Sequence, residues 1–111
     1  MKRFLIAALL FAPPPGATDV TGRWALNFVY KDGTHTQGYC TFTQQGTKLT
    51  GACGPDAMGG SRLAGEVTNG ELTWQVEDGP AYKAVLDERG TFMKGTFSGS
   101  GEGIFTGMKT N

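Results

Sequence analysis

Five short segments of this chain place a small residue in an alternating apolar pattern. They are Leu49–Cys53, Leu63–Val67, Tyr82–Leu86, Met93–Phe97 and Phe105–Gly107. An apolar period of two predicts β-strands. Glycine within a strand is tolerated mainly where the strand bends sharply or another group approaches closely. Because the small residue recurs at the same place in successive strands, the pattern predicts a tightly coiled sheet, with a structural role for Gly51, Gly65 and Gly95.

Eight strand-like segments follow one another, and tight turns separate nearly all of them. Asp32-Gly33 and Asn69-Gly70 are strong signals for hairpin turns. Consecutive antiparallel strands form a meander, and eight of them can close into a barrel with room for side chains or one small ligand. We therefore predict an all-β fold, an eight-stranded antiparallel up-and-down β-barrel, with a two-sheet sandwich as the alternative.

The N-terminus has the pattern of a targeting segment. Lys2 and Arg3 precede an apolar run, residues 4–12, which is too short to span a bilayer but suits a secretory signal peptide. Residues 1–17 are predicted to be removed after Ala17, and residues 18–111 to form a single barrel domain. The predicted location is secreted or periplasmic, with no membrane span in the mature form.

The two cysteines, Cys40 and Cys53, are predicted to form a disulfide. Pairing Phe42 with Gly51 across a four-residue loop places the cysteines directly opposite each other on one face. Opposed residues of an antiparallel pair lie within disulfide reach, and an exported protein meets an oxidising environment. Two thiols without a third ligand argue against a metal site.

Charge and motif patterns restrict the chemistry of the chain. The 111 residues hold ten basic and ten acidic residues, and no basic stripe with interleaved aromatics predicts a nucleic-acid partner. His35, the single histidine, has no evident nucleophile beside it. Glu102, which enters the last strand, is the acid of most interest. No catalytic residue, metal or cofactor is predicted.

Most aromatic residues of the chain fall on the inward register of the strands. Two interpretations stay open: a packed core, or a partly open apolar cavity in which the small residues leave space. In the second, tyrosine and tryptophan tips orient a bound molecule, and Gln44, an inward polar residue near a turn, lines the mouth. The predicted ligand-binding residues are Tyr30, Gln44, Trp74, Tyr82, Phe97 and Phe105.

The segment Val20–Trp24, with its Gly-x-Trp, resembles the first strand of the calycin barrels, the lipocalins and avidins. Later Leu-Thr-Gly, Leu-Ala-Gly and Leu-Thr-Trp segments also look like avidin strands. The resemblance implies that Trp24 plugs the closed end of the barrel. It does not imply biotin binding, because the avidin loop after the first strand is absent and Gln75, not lysine, follows Trp74.

Two further resemblances concern exported bacterial proteins. The Leu-x-Gly repeats and the Met93-Lys-Gly95 segment are similar to those of small lipocalin-like barrels of uncharacterised function. Gly22-Arg-Trp24, with one cysteine in each of the next two strands, resembles periplasmic inhibitors of secreted metalloproteases. Those inhibitors insert a flexible N-terminal segment into the protease, a role that residues 18–22 would take here.

Three functions follow as hypotheses. The first is an exported barrel that binds a small, mainly apolar molecule in its lumen. The second is a protein-interaction barrel, such as a periplasmic protease inhibitor. The third is a small barrel enzyme of the cyclase or isomerase type that acts on a lipophilic substrate. Because no acid lies on an inward register, the sequence leans against an enzyme.

Overall fold

The alternating pattern of the sequence is expressed as eight β-strands. The computed structural model describes residues 19–56, 59–99 and 101–110, so the predicted signal peptide, residues 1–17, lies outside the described residues. The strands are β1 (Gly22–Tyr30), β2 (His35–Gln45), β3 (Lys48–Asp56), β4 (Gly59–Thr68), β5 (Glu71–Val76), β6 (Ala81–Leu86), β7 (Phe92–Ser98) and β8 (Glu102–Lys109). The described ranges contain no helix.

Each strand pairs antiparallel with the next one in sequence, and β8 returns to pair with β1. The sheet is therefore a closed barrel in the order β1 to β8. This confirms the predicted up-and-down meander and excludes the two-sheet sandwich. Closure gives every strand two hydrogen-bonded neighbours, so the barrel exposes no unpaired edge.

The turns follow the predicted sequence signals except between β3 and β4. Asn69 and Gly70 both have positive φ, 52° and 79°, as a two-residue turn of type I′ requires. Residues 54–56 and 59–60 extend β3 and β4 as strand, because Asp56 still pairs with Gly59. The register shifts between Cys53 and Asp56, and such a bulge lets a hairpin continue while its twist increases.

Glycine allows the strands to approach closely inside the barrel wall. A Cβ atom on Gly65 would overlap the carbonyl oxygen of Thr73 on the neighbouring strand, and one on Gly95 would overlap that of Lys83. These contacts come from the strong coiling of the sheet, because adjacent strands of a flatter sheet leave room for side chains on both faces.

A short N-terminal segment, Asp19–Thr21, crosses the end of the barrel at which β1 begins; we call it the strap. Val20 is completely buried, its N–H donates to Oε1 of Gln44, and its carbonyl accepts a hydrogen bond from Nε1 of Trp24, both at 3.0 Å. The N–H of Gln44 donates to the Thr21 hydroxyl at 3.0 Å. The strap and Trp24 thus close this end of the barrel, the closed end.

The predicted disulfide joins Cys40 of β2 to Cys53 of β3, which lie directly opposite each other. Cys40 is buried and Cys53 is half-buried. A cross-link that closes a loop of this size stabilises a domain by about 3 kcal/mol, mainly by restricting the unfolded chain. It fastens β2 to β3 in the middle of the barrel wall, because Cys40 also pairs with Trp24. The end of the barrel opposite the strap, where the β1–β2 and β5–β6 turns lie, we call the mouth.

Candidate functional site

An aromatic cluster occupies much of the barrel interior, from Phe42 near the closed end to Tyr30 near the mouth. Neighbouring rings have centroids 4.8–6.3 Å apart, mostly in tilted or edge-to-face arrangements, which aromatic quadrupoles favour. Its members are Phe28, Tyr30, Phe42, Trp74, Tyr82, Phe97 and Phe105. The inward register of β1, β2 and β5–β8 brings these residues together, because inward side chains of adjacent strands face each other across each pair.

Trp74 and Tyr82 form the one parallel stack among the described ring pairs. Their centroids are 4.8 Å apart and their planes differ by 10°. They are direct cross-strand partners on β5 and β6, which fixes their separation. Nε1 of Trp74 is buried and has no hydrogen-bond partner. A buried indole N–H without an acceptor carries a desolvation cost of about 1–3 kcal/mol.

A cavity of about 320 Å³ opens at the mouth. Its walls include Leu26, Phe28, Cys40, Cys53, Val76 and Tyr82, and its rim includes Gln37, Ser61, Glu77 and Asp78. The volume lies at the lower end of the range for small-molecule sites. None of its described lining residues is basic. The combination of apolar walls and a polar rim suits a small molecule that buries an apolar body.

A second cavity of about 80 Å³ adjoins the first. Both cavities are bounded by Phe28, Pro80 and Tyr82, and the smaller one also by Tyr30 and Phe97. Phe28 of β1 contacts Tyr82 of β6 across the barrel, with ring centroids 6.1 Å apart. This pair of rings is therefore a wall that the two cavities share.

The phenol of Tyr82 is held in its neutral form. Burial, and to a smaller extent repulsion from Tyr30, raises the pKa of Tyr82 from 10.0 to about 12. At neutral pH its hydroxyl can donate a hydrogen bond but is a poor source of phenolate. This direction gives no support to a catalytic base at this position.

The acids of the mouth are exposed. Glu102, the acid of most interest in the sequence, forms an ion pair with Lys31 at the surface. No charged side chain is buried anywhere in the described part of the chain. The described residues likewise contain no group of three or more His, Cys, Asp or Glu side chains that could hold a metal ion. Nothing here favours the hypothesis of an enzyme with a buried carboxylate.

The structure places three of the six predicted ligand-binding residues around the two cavities. Tyr30, Tyr82 and Phe97 line one or both of them. Trp74 and Phe105 are not among the lining residues, and each packs against Tyr82 instead.

Gln44 requires a correction. It was expected to line the mouth but lies at the closed end, where its amide binds the strap and its Nε2 donates to the Gly46 carbonyl at 2.9 Å. Gln44 does lie near a turn, as the sequence indicates, but that turn, between β2 and β3, is at the closed end and not at the mouth.

Phe28 lines both cavities but was not among the predicted ligand-binding residues. It follows Leu26 on the inward register of β1, and that alternation was the available signal.

The inhibitor hypothesis takes the N-terminal segment to be flexible. In the structure Val20 and Thr21 of this segment are hydrogen-bonded to Gln44 and Trp24 at the closed end.

Comparisons with known proteins identify the architecture and no family. No family model matches the chain, and no curated protein is similar to it. A de novo designed fluorescence-activating β-barrel is similar in structure, with a TM-score of 0.53 and 17% identity over 81% of this chain and 93% of that one. A redesigned β-barrel gives 0.57 and 17% over 83% and 91%. At this identity the likeness is one of fold, and membership of the calycin family stays a prediction.

The described residues include no helix with the length and hydropathy needed to cross a membrane. The class of protein is therefore defined by its fold: a small, closed, disulfide-linked, eight-stranded antiparallel β-barrel with one end shut by its own chain.

Proposed function

We propose that this protein binds a small, mainly apolar molecule in the mouth of the barrel. The observation that carries the proposal is the cavity of about 320 Å³, which has apolar and aromatic walls and a polar rim. Barrel mouths are common places for small-molecule sites, and burial of apolar ligand surface supplies the driving force.

The two ends of the barrel differ in a way that supports a single route into the lumen. At the closed end Val20 and Trp24 are fully buried beneath the strap. At the mouth Phe28 and Tyr30 are only half-buried. The similarity to a barrel described as fluorescence-activating supports the architecture that the proposal needs and does not identify a ligand.

The proposal is tested with the neutral fluorescent probe N-phenyl-1-naphthylamine. We expect a saturable rise in probe emission with one site per chain. Val76→Phe, which places a ring in the cavity, is expected to weaken binding by about tenfold or more. The matched control is Val85→Phe, because Val85 is 56% exposed on the outer face of β6. Emission that does not saturate, or equal affinities of the two variants, would refute lumen binding.

We also propose that the protein is exported, with residues 1–17 as its signal peptide. The charged start, the apolar run and the cross-strand disulfide support this. Expression of the full chain in a bacterium, followed by fractionation and intact mass measurement, is expected to give a secreted or periplasmic chain that begins at Thr18. A cytoplasmic chain that retains residues 1–17 would contradict it.

A further inference from the structure

Tyr82 is the ring around which the lumen is built. One of its faces is covered by the stacked indole of Trp74. Its other ring contacts are not parallel: Phe97 is tilted by 33° at 6.3 Å, Phe28 by 52° at 6.1 Å, and Phe105 is edge-on at 87°. Among the described residues no second ring stacks on Tyr82.

This ring also borders open space. Tyr82 bounds both the cavity of about 320 Å³ and the cavity of about 80 Å³. Phe28, whose ring centroid lies 6.1 Å from that of Tyr82, bounds both cavities as well and is only half-buried. A flat ring that enters either cavity would therefore meet the ring of Tyr82 in space that already exists.

We propose that the lumen selects molecules with a planar aromatic ring, which stacks on Tyr82 and extends the Trp74–Tyr82 pair. This inference rests on the proposed function and specifies its ligand class. Leu26, Val76 and the disulfide contact a saturated ring as well as a flat one, so their contribution does not distinguish the two. Stacking does distinguish them, because only an aromatic ring offers a quadrupole and a flat face to the phenol.

The test uses two probes with the same fused-ring carbon skeleton and one hydroxyl group, 2-naphthol and decahydro-2-naphthol. Each is titrated against bound N-phenyl-1-naphthylamine, and each affinity is normalised by the probe's own water–octanol partition. We expect 2-naphthol to bind about five- to tenfold more tightly, the factor that corresponds to an added aromatic pair. Equal normalised affinities would overturn the inference and leave lumen binding standing. Failure of every probe to bind would overturn the proposed function with it.

Variants of Tyr82 test whether the preference for an aromatic over a saturated ring depends on this residue. Tyr82→Phe keeps the ring and is expected to keep the preference, whereas Tyr82→Leu is expected to bind both probes with nearly equal normalised affinity. Tyr39→Leu is the matched control, because Tyr39 lines the larger cavity but belongs to none of the described ring pairs. A preference that survives Tyr82→Leu, or that is lost in Tyr39→Leu, would contradict stacking on Tyr82.

A spectroscopic readout covers the case in which Tyr82→Leu does not fold. The chain has two tryptophans, so Trp24→Phe leaves Trp74 as the single indole. With the stack extended through Tyr82, bound 2-naphthol is expected to quench Trp74 emission along the same saturation curve as its binding, and decahydro-2-naphthol is expected to leave it unchanged. Quenching by both probes, or by neither, would contradict the inference.

Discussion

The two indoles of this barrel occupy opposite hydrogen-bonding situations. Nε1 of Trp24 donates to the Val20 carbonyl at 3.0 Å, and this bond fastens the strap across the closed end. Nε1 of Trp74 is buried without a partner. Nearly all buried polar groups in folded proteins are paired, so the free N–H of Trp74 is a local weakness beside the proposed site.

This contrast predicts different costs for the same substitution. Trp24→Phe removes a made hydrogen bond and leaves the Val20 carbonyl without its donor, whereas Trp74→Phe removes a donor that has no acceptor. Both lose similar ring volume. We expect Trp24→Phe to be the more destabilising of the two by about 1 kcal/mol or more, measured by urea unfolding. Equal losses, or a larger loss for Trp74→Phe, would contradict this reading of the two sites.

The raised pKa of Tyr82 predicts a loss of stability at alkaline pH. Tyr82 loses its proton near pH 10 in the unfolded chain and near pH 12 in the folded one. The folded state thus holds the proton more tightly than the unfolded chain does. The contribution of this proton to the unfolding free energy is fully present below about pH 10 and is lost as the pH rises through about 12. In Tyr82→Phe we expect a shallower fall of the unfolding free energy over this range. Parallel urea-unfolding profiles of variant and parent would argue against the shift.

Within the strands, glycine acts by letting backbones approach. On β7, a Cβ on Gly95 would overlap the Lys83 carbonyl oxygen and crowd Cα of Ala84 on β6. In the β2–β3 turn, a Cβ on Gly46 would meet nothing within 4 Å, although its φ of +64° lies in the left-handed region. Substitution of Gly95 therefore tests the cost of steric overlap, and substitution of Gly46 tests the cost of a left-handed backbone without overlap.

We predict that Gly95→Ala costs about 3 kcal/mol, because the overlap involves backbone atoms that cannot rotate away. Gly46→Ala is the matched control, with an expected cost of about 1 kcal/mol from its left-handed backbone alone. Thermal and urea unfolding of both variants measure the difference. If Gly95→Ala costs no more than Gly46→Ala, close approach is not the reason for glycine in β7.

In the molecule as a whole, the strap and the proposed binding site lie at opposite ends of one sheet. The closed end is held by the strap, by Trp24 and by the amide of Gln44. The mouth holds the cavities, which the disulfide borders, and the exposed acids Glu77 and Asp78. Because neither Gln44 nor Trp24 lines a cavity, a change at the closed end is expected to leave the geometry of the mouth intact.

Gln44→Leu tests this separation. It removes the acceptor of the Val20 N–H and is expected to lower the unfolding free energy by about 1–2 kcal/mol. The affinity for N-phenyl-1-naphthylamine is expected to stay within about twofold of the parent, since a smaller change amounts to less than roughly 0.4 kcal/mol. Val76→Phe, at the mouth, should show the reverse pattern. Loss of probe binding in Gln44→Leu without unfolding would contradict a single mouth at the other end.

Local rules were enough to predict the strands, most of their turns and the disulfide. The period of two sets which side chains share a face, and Asn69-Gly70 has the backbone preferences of its turn. Once the β2–β3 hairpin is aligned, Cys40 must oppose Cys53. Each of these inferences depends on residues close in sequence, which is why sequence reasoning reaches them.

The two ends of the barrel depend instead on closure. Whether Gln44 faces a mouth or a strap follows from where residues 19–21 lie after β8 has paired with β1, and no local pattern encodes that contact. The strands continued through residues 54–56 and 59–60 because a bulge kept the ladder paired. The volume of the cavity is the volume that the strands enclose minus the volume that the inward side chains fill, and the second quantity depends on the rotamer of each side chain. That difference exists only once every ring has taken its place, so the sequence determined the inward residues and the tertiary packing decided which of them border empty space.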